Sequence, residues 1–156
     1  MKNEHDIGGQ FLVAERRGRQ VALPLAAVRG GLPKTGLEPV PRGELDWLGV
    51  LTVRGEIVVA MAVDAWLDLD GLEEGAEPAA LVLFRAQDTT VALAFDRLRG
   101  VVTLEGNKFR PHPAIGQRPW LTRVYSNDDY ARLDVIDGPA FSAAIIRGGR
   151  GAEVAS

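Results

Sequence analysis

The sequence predicts a mostly β fold with a few short helices, folded as one domain. Apolar residues occur in short runs rich in Val, Ile and Leu, and Gly, Pro, Asn or Asp separate these runs at intervals typical of strands and turns. The chain has 156 residues, of which 46% are hydrophobic and 25% charged, as in a single globular domain. We therefore expect one domain over residues 10–147, a flexible N-terminus at 1–9 and a flexible C-terminal tail at 148–156.

The strands follow one another with short turns between them. Residues 16–19 join the first two strands, and Arg54-Gly55 joins the next two, where glycine supplies the positive φ that a tight turn needs. A third turn lies between residues 87 and 90. The predicted strands span residues 11–15, 20–23, 49–53, 56–63, 80–85, 90–95, 97–103 and 130–136.

Helical segments are few. Residues 26–30 and 64–69 are each predicted to form one turn. A C-terminal helix at 138–145 begins after Asp137, which is a good N-cap residue, and Pro139 lies in the first turn, where a missing N–H costs least. The acidic segment at 70–78 contains glycine and proline and is predicted to be an exposed connection between two β units.

Composition argues against several classes of function. The chain has 18 basic and 21 acidic residues, a net charge of −3 and no long basic run, so nucleic acid is not an expected partner. It has no cysteine, which excludes disulfides, thiolate nucleophiles and cysteine-ligated metal sites. The longest apolar run, at 57–63, is too short to insert in a bilayer, and the charged N-terminus does not resemble a signal peptide. We therefore expect a cytoplasmic protein.

The residue types needed for catalysis are present but not in a catalytic pattern. His5 and His112 have no ligand at metal-binding spacing, and Ser126, Ser142 and Ser156 lack the context of a nucleophile elbow. The glycine pairs match neither a dinucleotide fingerprint nor a P-loop. The sequence therefore predicts no catalytic residue, no cofactor and no metal.

Two other groups have both a functional and a structural interpretation. Asp128-Asp129 could coordinate a hard cation, but such residues are more often a solvated turn, which we favour. Trp47, Trp66 and Trp120 could anchor a partner, and for each of them packing in the core is the favoured interpretation.

Three stretches, in this order and spacing, resemble the CheW-like domain. The first is the opening hairpin that leads into residues 23–28. The second and most specific is LGVLTVRGEIV at 48–58, which is similar to the family's apolar-Gly-Val-x-Asn-x-Arg-Gly signature. The third is VALAFDRLRGVV at 91–102, followed by FRPHP at 109–113. The resemblance covers residues 11–145, nearly the whole chain.

This resemblance implies two small five-stranded, SH3-like β-barrels that share a core and have no enzymatic activity. It implies an adaptor that couples chemoreceptors to a CheA-type histidine kinase in chemosensory signal transduction. The regulatory domain of the kinase would bind one barrel, and the cytoplasmic tip of a chemoreceptor would enter the groove between barrels. Residues 46–55 also resemble the CheW-type adaptor of type IV pilus systems, so a flagellar, pilus or other output stays open.

Carried over to this sequence, the signature implies a protein-interaction site around the Arg-Gly turn. Arg54 stands at the signature arginine and Gly55 at the turn glycine. Arg54 is either an interface anchor or the donor of a structural ion pair. The implied interaction residues are Leu48, Val50, Thr52, Val53, Arg54, Gly55 and Glu56.

The sequence departs from the family at three positions near this turn. Thr52 replaces the signature asparagine, Gly30 or Gly31 stands where the family has an acidic residue, and Ala62 stands where it has aspartate. We therefore expect Arg54 to lack its usual acidic partner, and Glu56 or Asp64 are the alternatives if it forms an ion pair within the chain. The sequence is that of a divergent member.

Two competing hypotheses remain. A small-ligand-binding or enzymatic β-barrel would use Asp96, Arg110 and His112 as the polar groups of a cleft. A defective adaptor would keep the fold and bind neither partner. A closed apolar pocket with His112 pointing inward would favour the first of these, and an exposed apolar strip beside Arg54 would favour the adaptor.

Overall fold

The computed structural model describes residues 9–39, 47–67, 69 and 77–155, with the side chains described up to residue 147. These residues form eleven strands and one α-helix. The elements are β1 (Gly9–Arg16), β2 (Arg19–Pro24), β3 (Val28–Pro33), β4 (Trp47–Val53), β5 (Glu56–Ala62), β6 (Ala80–Ala86), β7 (Thr89–Phe95), β8 (Arg97–Leu104), β9 (Phe109–Pro111), β10 (Leu121–Tyr125), β11 (Leu133–Ile136) and α1 (Gly138–Ala155).

The strands form two sheets. Sheet A has six strands in the order β8-β1-β2-β11-β10-β9, and sheet B has five in the order β3-β6-β7-β5-β4. Neighbouring strands are antiparallel except in two pairs, β2–β11 and β5–β7. The mostly β prediction is confirmed. Sheet A exceeds the expected five strands by the short β9, and among the described residues no pairing between the end strands closes either sheet into a barrel.

The hairpin turns lie where the sequence predicts them. Arg54 has a φ of 51° and Gly55 a φ of 83°, and the turn between β1 and β2 has the same pattern at Arg17 and Gly18. Two successive positive φ angles are the signature of a type I′ turn, whose twist matches that of the strands it joins. In the β6–β7 turn the positive φ belongs to Gln87, which has a φ of 57°.

Three strands are absent from the sequence-based prediction. Residues 26–30, predicted as a helical turn, divide into a 3₁₀ turn at Leu25–Ala27 and the start of β3. Two glycines and Pro33 suggested no strand there, and pairing with β6 overrides that local preference. β9 and β10 were missed because they are only three and five residues long.

Two element boundaries also differ from the prediction. The last strand begins at Leu133 rather than residue 130, because the Oδ1 atom of Asn127 accepts hydrogen bonds from the backbone N–H groups of Asp129 and Tyr130 and holds this segment in a turn. The backbone of α1 continues to Ala155, beyond the predicted end at residue 145. As expected, Asp137 caps the helix, and its Oδ2 accepts from the Ala140 N–H at 2.9 Å.

The largest core cluster lies between the two sheets and under α1. Phe141 of α1 packs against Phe84 of β6, Trp66 and Trp120, with ring centroids 5.4–6.2 Å apart. Trp66 and Trp120 also contact each other, and the Trp120 indole N–H donates to the Trp66 carbonyl. Trp47 packs against the same cluster from its edge, so the prediction that all three tryptophans pack in the core is confirmed.

An ion-pair cluster ties the β1–β2 turn to sheet B. Arg16 donates from Nε to Oδ1 of Asp64 at 2.9 Å and from an Nη atom to Oδ1 of Asp96 at 2.8 Å. The backbone N–H of Arg17 donates to the other Asp96 oxygen at 2.8 Å. Asp64 follows β5 and Asp96 lies between β7 and β8, so one turn contacts two segments that follow strands of sheet B.

Parts of the predicted organisation fall on residues 1–8 and 70–76, which lie outside the described residues. The division into flexible ends and one domain at 10–147 therefore stays a prediction. Within the described part of the chain, no helix is long and apolar enough to cross a membrane.

Candidate protein-interaction site

The β4–β5 hairpin carries all seven residues implied as an interaction site. β4 is an end strand of sheet B. Along its edge away from β5, Val50 exchanges two backbone hydrogen bonds with Glu38, at 2.8 and 2.9 Å. Beyond this bridge, towards the turn, the free edge of β4 has no paired strand among the described residues. Arg54, Gly55 and Glu56 are exposed at the turn.

The structure divides these residues between two faces of the hairpin. Val50 pairs with Val59 and Thr52 pairs with Ile57, so these four side chains share one face, here called the outer face because it points away from the apolar cluster inside sheet B. At Val59 this face packs against the core between the sheets. Val53 pairs with Glu56 on the inner face, where Val53 packs against the apolar cluster inside sheet B. Leu48 also packs against that cluster, because a register shift between Trp47 and Gly49 interrupts the alternation.

Ile57 is the site residue that sequence reasoning missed. Its side chain is 76% exposed, the highest value among the large hydrophobic residues described. It lies beside the exposed Thr52 and two residues from the half-buried Val59 on the same face. The signal was available, because alternation from the turn places Ile57 opposite Thr52 and away from the buried Val58.

Arg54 forms no ion pair within the described residues. Glu56 lies only two residues away, yet no salt bridge joins the two side chains. Asp64 is already bound by Arg16 and by Arg17, at 2.9 and 3.5 Å. Neither intramolecular partner considered for Arg54 is therefore engaged with it, and its guanidinium is exposed beside apolar neighbours.

Two clefts open near this hairpin. The hairpin cleft, of about 460 Å³, lies between β3 and the hairpin and is lined by Arg29, Arg54 and Glu56 over an apolar floor. The inter-sheet groove, of about 620 Å³, lies between the sheets and the start of α1, and it has apolar residues such as Phe11 beside Arg29, Arg85 and Arg123. Arg29 lines both, so the two clefts adjoin.

Two of the three polar groups of the competing ligand-binding hypothesis, Asp96 and His112, are engaged within the fold. Asp96 is bound by Arg16 and by the backbone of Arg17. His112 is buried, and its Nδ1 accepts from the Ala114 N–H at 2.9 Å, which places the ring proton on Nε2, 3.3 Å from Oδ1 of Asp134. Both ring nitrogens of His112 therefore have partners within the fold.

The buried environment of His112 sets its protonation state. Burial lowers the pKa of His112 below its ordinary value, and nearby Arg132 and Arg19 act in the same direction. The carboxylate of Asp134 opposes this shift but does not outweigh it. The neutral ring is the form that accepts the Ala114 hydrogen bond, so His112 supports the fold of this loop.

No metal centre is present in the part of the chain that the structure describes, where no group of three or more metal-ligating side chains is found. Asp128 and Asp129 are exposed in the turn that Asn127 closes. The favoured interpretation of this pair as a polar turn agrees with that geometry.

Two packed β-sheets that share a core, one helix and an exposed hairpin with Arg54 and Ile57 define a mostly β domain. The profile of the CheW-like domain matches residues 10–143. The scaffolding protein TtCheW from Thermoanaerobacter tengcongensis has a similar crystal structure, with a TM-score of 0.71 and 13% sequence identity, over 84% of this chain and 90% of that chain. No curated protein sequence gives a significant match.

The chain belongs to the CheW-like domain family. At this low identity, the structural similarity to the solved scaffold shows a shared fold. The family match adds the class of function, which is a non-enzymatic scaffold or adaptor of chemotaxis. The expected family, the mostly β CheW-like fold and the absence of an enzymatic role are thereby confirmed.

Proposed function

We propose that this protein is a cytoplasmic adaptor that couples chemoreceptors to a CheA-type histidine kinase. The β4–β5 hairpin is the site for the regulatory domain of the kinase, and the inter-sheet groove is the site for the cytoplasmic tip of a chemoreceptor. The observation that carries the proposal is the hairpin surface itself, where Ile57 is 76% exposed near Arg54, which forms no ion pair with any described residue.

The hairpin has the composition of an interface centre. Arginine is enriched among the residues that dominate binding energy, and an exposed isoleucine gains free energy when a partner removes it from water. Val50 and Thr52 extend the outer face along β4, and the free edge of this strand offers backbone groups to a partner. A protein partner would cover all of these features at once.

The inter-sheet groove suits an elongated partner. Its apolar lining includes Phe11, Pro24 and Ile136, which come from sheet A and its connections, and it is open to solvent. Both sheets and α1 contribute to it, so its shape depends on the complete fold. A receptor tip bound there would lie next to a kinase domain on the hairpin, because the two sites adjoin at Arg29.

The direct experiment is a binding measurement with the purified regulatory domain of the cognate kinase and a soluble receptor fragment that contains the tip. We expect Arg54→Ala to weaken binding of at least one partner by about 2 kcal/mol, roughly thirtyfold, because truncating a central anchor costs this much. Its melting temperature should stay close to that of the wild type, since Arg54 has no ion pair in the described fold.

Arg97→Ala is the matched control, because Arg97 is an arginine of sheet A that is 61% exposed and lies 3.6 Å from Glu15. We expect it to change binding less than twofold. If Arg54→Ala lowers the melting temperature and leaves both affinities within twofold, Arg54 is structural and the interface lies elsewhere. If the wild type binds neither partner, the chain is an adaptor-like domain without this function.

The output of the pathway is a separate question. A flagellar and a type IV pilus system would use the same surface, so the hairpin geometry does not distinguish them. The genes next to the coding sequence test this directly, because flagellar or pilus components beside it would identify the pathway.

A further inference from the structure

The hairpin cleft combines positive charge with an apolar floor. Leu32, Val53, Val58 and Leu83 form the floor, and they belong to the apolar cluster inside sheet B. Arg29 on β3 and Arg54 on the hairpin stand on opposite walls. A ligand in this cleft would therefore meet guanidinium groups at the rim and hydrocarbon below them.

The charges at the rim do not balance. Arg29 and Arg54 are both exposed, and neither forms a salt bridge within the described residues. Glu56 is the one acidic residue that lines the cleft, and it is paired with neither arginine in the described fold. The whole chain has a net charge of −3, so this local excess of positive charge runs against the overall composition.

Of the two glycines that line the cleft, Gly30 has room for a side chain and Gly31 does not. Gly30 and Gly31 of β3 line the wall opposite the hairpin. A Cβ atom at Gly31 would approach Leu98 Cδ1 to 2.6 Å, whereas one at Gly30 would lie 3.7 Å from Leu83 Cδ1, an ordinary contact. The cleft volume of about 460 Å³ lies in the range of pockets that hold small molecules. It is therefore large enough for one or two side chains of a partner.

We propose that the hairpin cleft binds a carboxylate side chain of a protein partner, with Arg54 and Arg29 as the donors and an adjacent apolar side chain of the partner on the floor. Carboxylates match guanidinium groups in geometry as well as charge. The proposal rests on the proposed adaptor function for its partner and specifies the chemistry that this partner must present. A partner segment with a glutamate or aspartate beside an apolar residue fits.

The first experiment supplies the carboxylate from within the chain and needs no partner. Gly30→Glu is compared with Gly30→Gln, both in the wild-type and in the Arg54→Gln background. Gly30 has a φ of 157°, and the strain of a side chain there is the same in both variants and cancels. We expect the glutamate variant to melt about 2–4 °C above the glutamine variant. This difference should vanish in the Arg54→Gln background and at about 1 M salt.

The second experiment measures binding of the kinase regulatory domain and the receptor fragment to the same proteins. We expect Gly30→Glu to weaken binding of one partner at least tenfold relative to Gly30→Gln, because the internal carboxylate occupies the donors. Arg29→Gln and Arg54→Gln should each weaken the same interaction. If the Gly30 variants do not fold, Thr90→Glu and Thr90→Gln replace them, since Thr90 lines the same cleft from β7.

The outcomes separate this inference from the adaptor function. Equal melting temperatures of the glutamate and glutamine variants would overturn the carboxylate site, whatever binds. A higher melting temperature for the glutamate variant with equal partner binding would overturn the cleft as a partner contact. If the wild type binds neither partner, the adaptor function is rejected, and the comparison of melting temperatures alone decides whether the cleft accepts a carboxylate.

Discussion

Gly55 is the position where a single residue decides the conformation of the proposed interface. Its φ of 83° lies in the region that L-residues avoid, and a Cβ atom there would meet no other atom within 4 Å. The cost of a side chain is therefore conformational and not steric. We expect Gly55→Val to lower the free energy of unfolding by about 1–3 kcal/mol, measured by chemical denaturation.

Gly116→Val is the control for this prediction. Gly116 is also open to solvent, but its φ is not in the positive region that penalises side chains. Its substitution should change the free energy of unfolding by less than about 0.5 kcal/mol. Equal effects of the two substitutions would show that the turn tolerates valine and that its strain is small.

His112 makes stability depend on pH. Its pKa is lowered in the folded state from an ordinary value of 6.5, so between these two values the unfolded chain binds more protons than the folded one. Stability should therefore be complete above about pH 6.5 and decline as the pH falls towards the folded-state pKa. Protonation also removes the acceptor that the Ala114 N–H uses.

The measurement is the free energy of unfolding between about pH 5 and pH 7.5, for the wild type and for His112→Gln. The variant should be less stable at neutral pH because it loses buried contacts, and its stability should fall less steeply below about pH 6.5. Parallel profiles would mean that other groups cause the acid sensitivity. The slope decides the question, since the offset reports packing alone.

The sequence predicted these two residues unequally. Gly55 was identifiable because an Arg-Gly pair between two alternating apolar runs is a local signal for a turn. The role of His112 was not, since its partners Asp134 and Arg132 lie on a distant segment and only the tertiary fold brings them within hydrogen-bonding distance.

At the scale of elements, α1 depends on one aromatic residue for its docking. Phe141 is almost completely buried and contacts three other aromatic rings. We expect Phe141→Ala to destabilise the fold by about 3–5 kcal/mol, because it removes a large buried side chain and leaves a cavity. Thermal and chemical unfolding measure this effect.

Ile115→Ala provides the comparison, because Ile115 is a large apolar residue that is 44% exposed. Its truncation leaves no enclosed cavity and should cost under about 1 kcal/mol. A small effect of Phe141→Ala would show that the helix is held by other contacts and that the aromatic cluster rearranges.

The strands that the sequence predicted are mostly the long and apolar ones. β5, β6 and β7 were found because each is a seven-residue strand made mostly of apolar residues, with a turn signal beside it. β3 carries two glycines and a proline, and β9 has three residues, so neither has a local signal. These strands form because a neighbour offers unpaired backbone groups, which no short window of sequence reveals.

At the scale of the whole molecule, Arg16 connects the two sheets. Its side chain is 9% exposed and binds Asp64, which follows β5 of sheet B, and Asp96, which follows β7 of the same sheet. We expect Arg16→Met to destabilise the fold by about 1–3 kcal/mol, because Asp64 and Asp96 each lose the buried guanidinium of Arg16. The effect stays in this range because each carboxylate keeps a contact with Arg17 and is partly exposed.

Arg97→Met is the control, since the ion pair of Arg97 with Glu15 is exposed and 3.6 Å long. It should change the free energy of unfolding by less than about 1 kcal/mol. If both substitutions have the same small effect, the sheets are held together by the apolar core alone and the ion-pair cluster is incidental.

The overall architecture was predictable only through the resemblance. Apolar patterning gave the fold class, and the three matching stretches implied two β units over a shared core. The pairing of β2 with β11, and the burial of Arg16 between the sheets, depend on residues far apart in the chain. The division of the hairpin into two faces also required the register, because one bulge moves Leu48 to the inner side.

The strand order of sheet A has a consequence for synthesis on the ribosome. β1 and β2 emerge first, but their outer neighbours in the sheet are β8 and β11, which are made much later. The last strand of sheet B ends at Phe95, so this sheet can assemble while both outer edges of the β1–β2 hairpin are still unpaired. Long-range and parallel pairings of this kind are slow to form and leave exposed edges that attract other chains. Nascent chains stalled before residue 133 should therefore protect the amides of sheet B and not those amides of β2 that face β11.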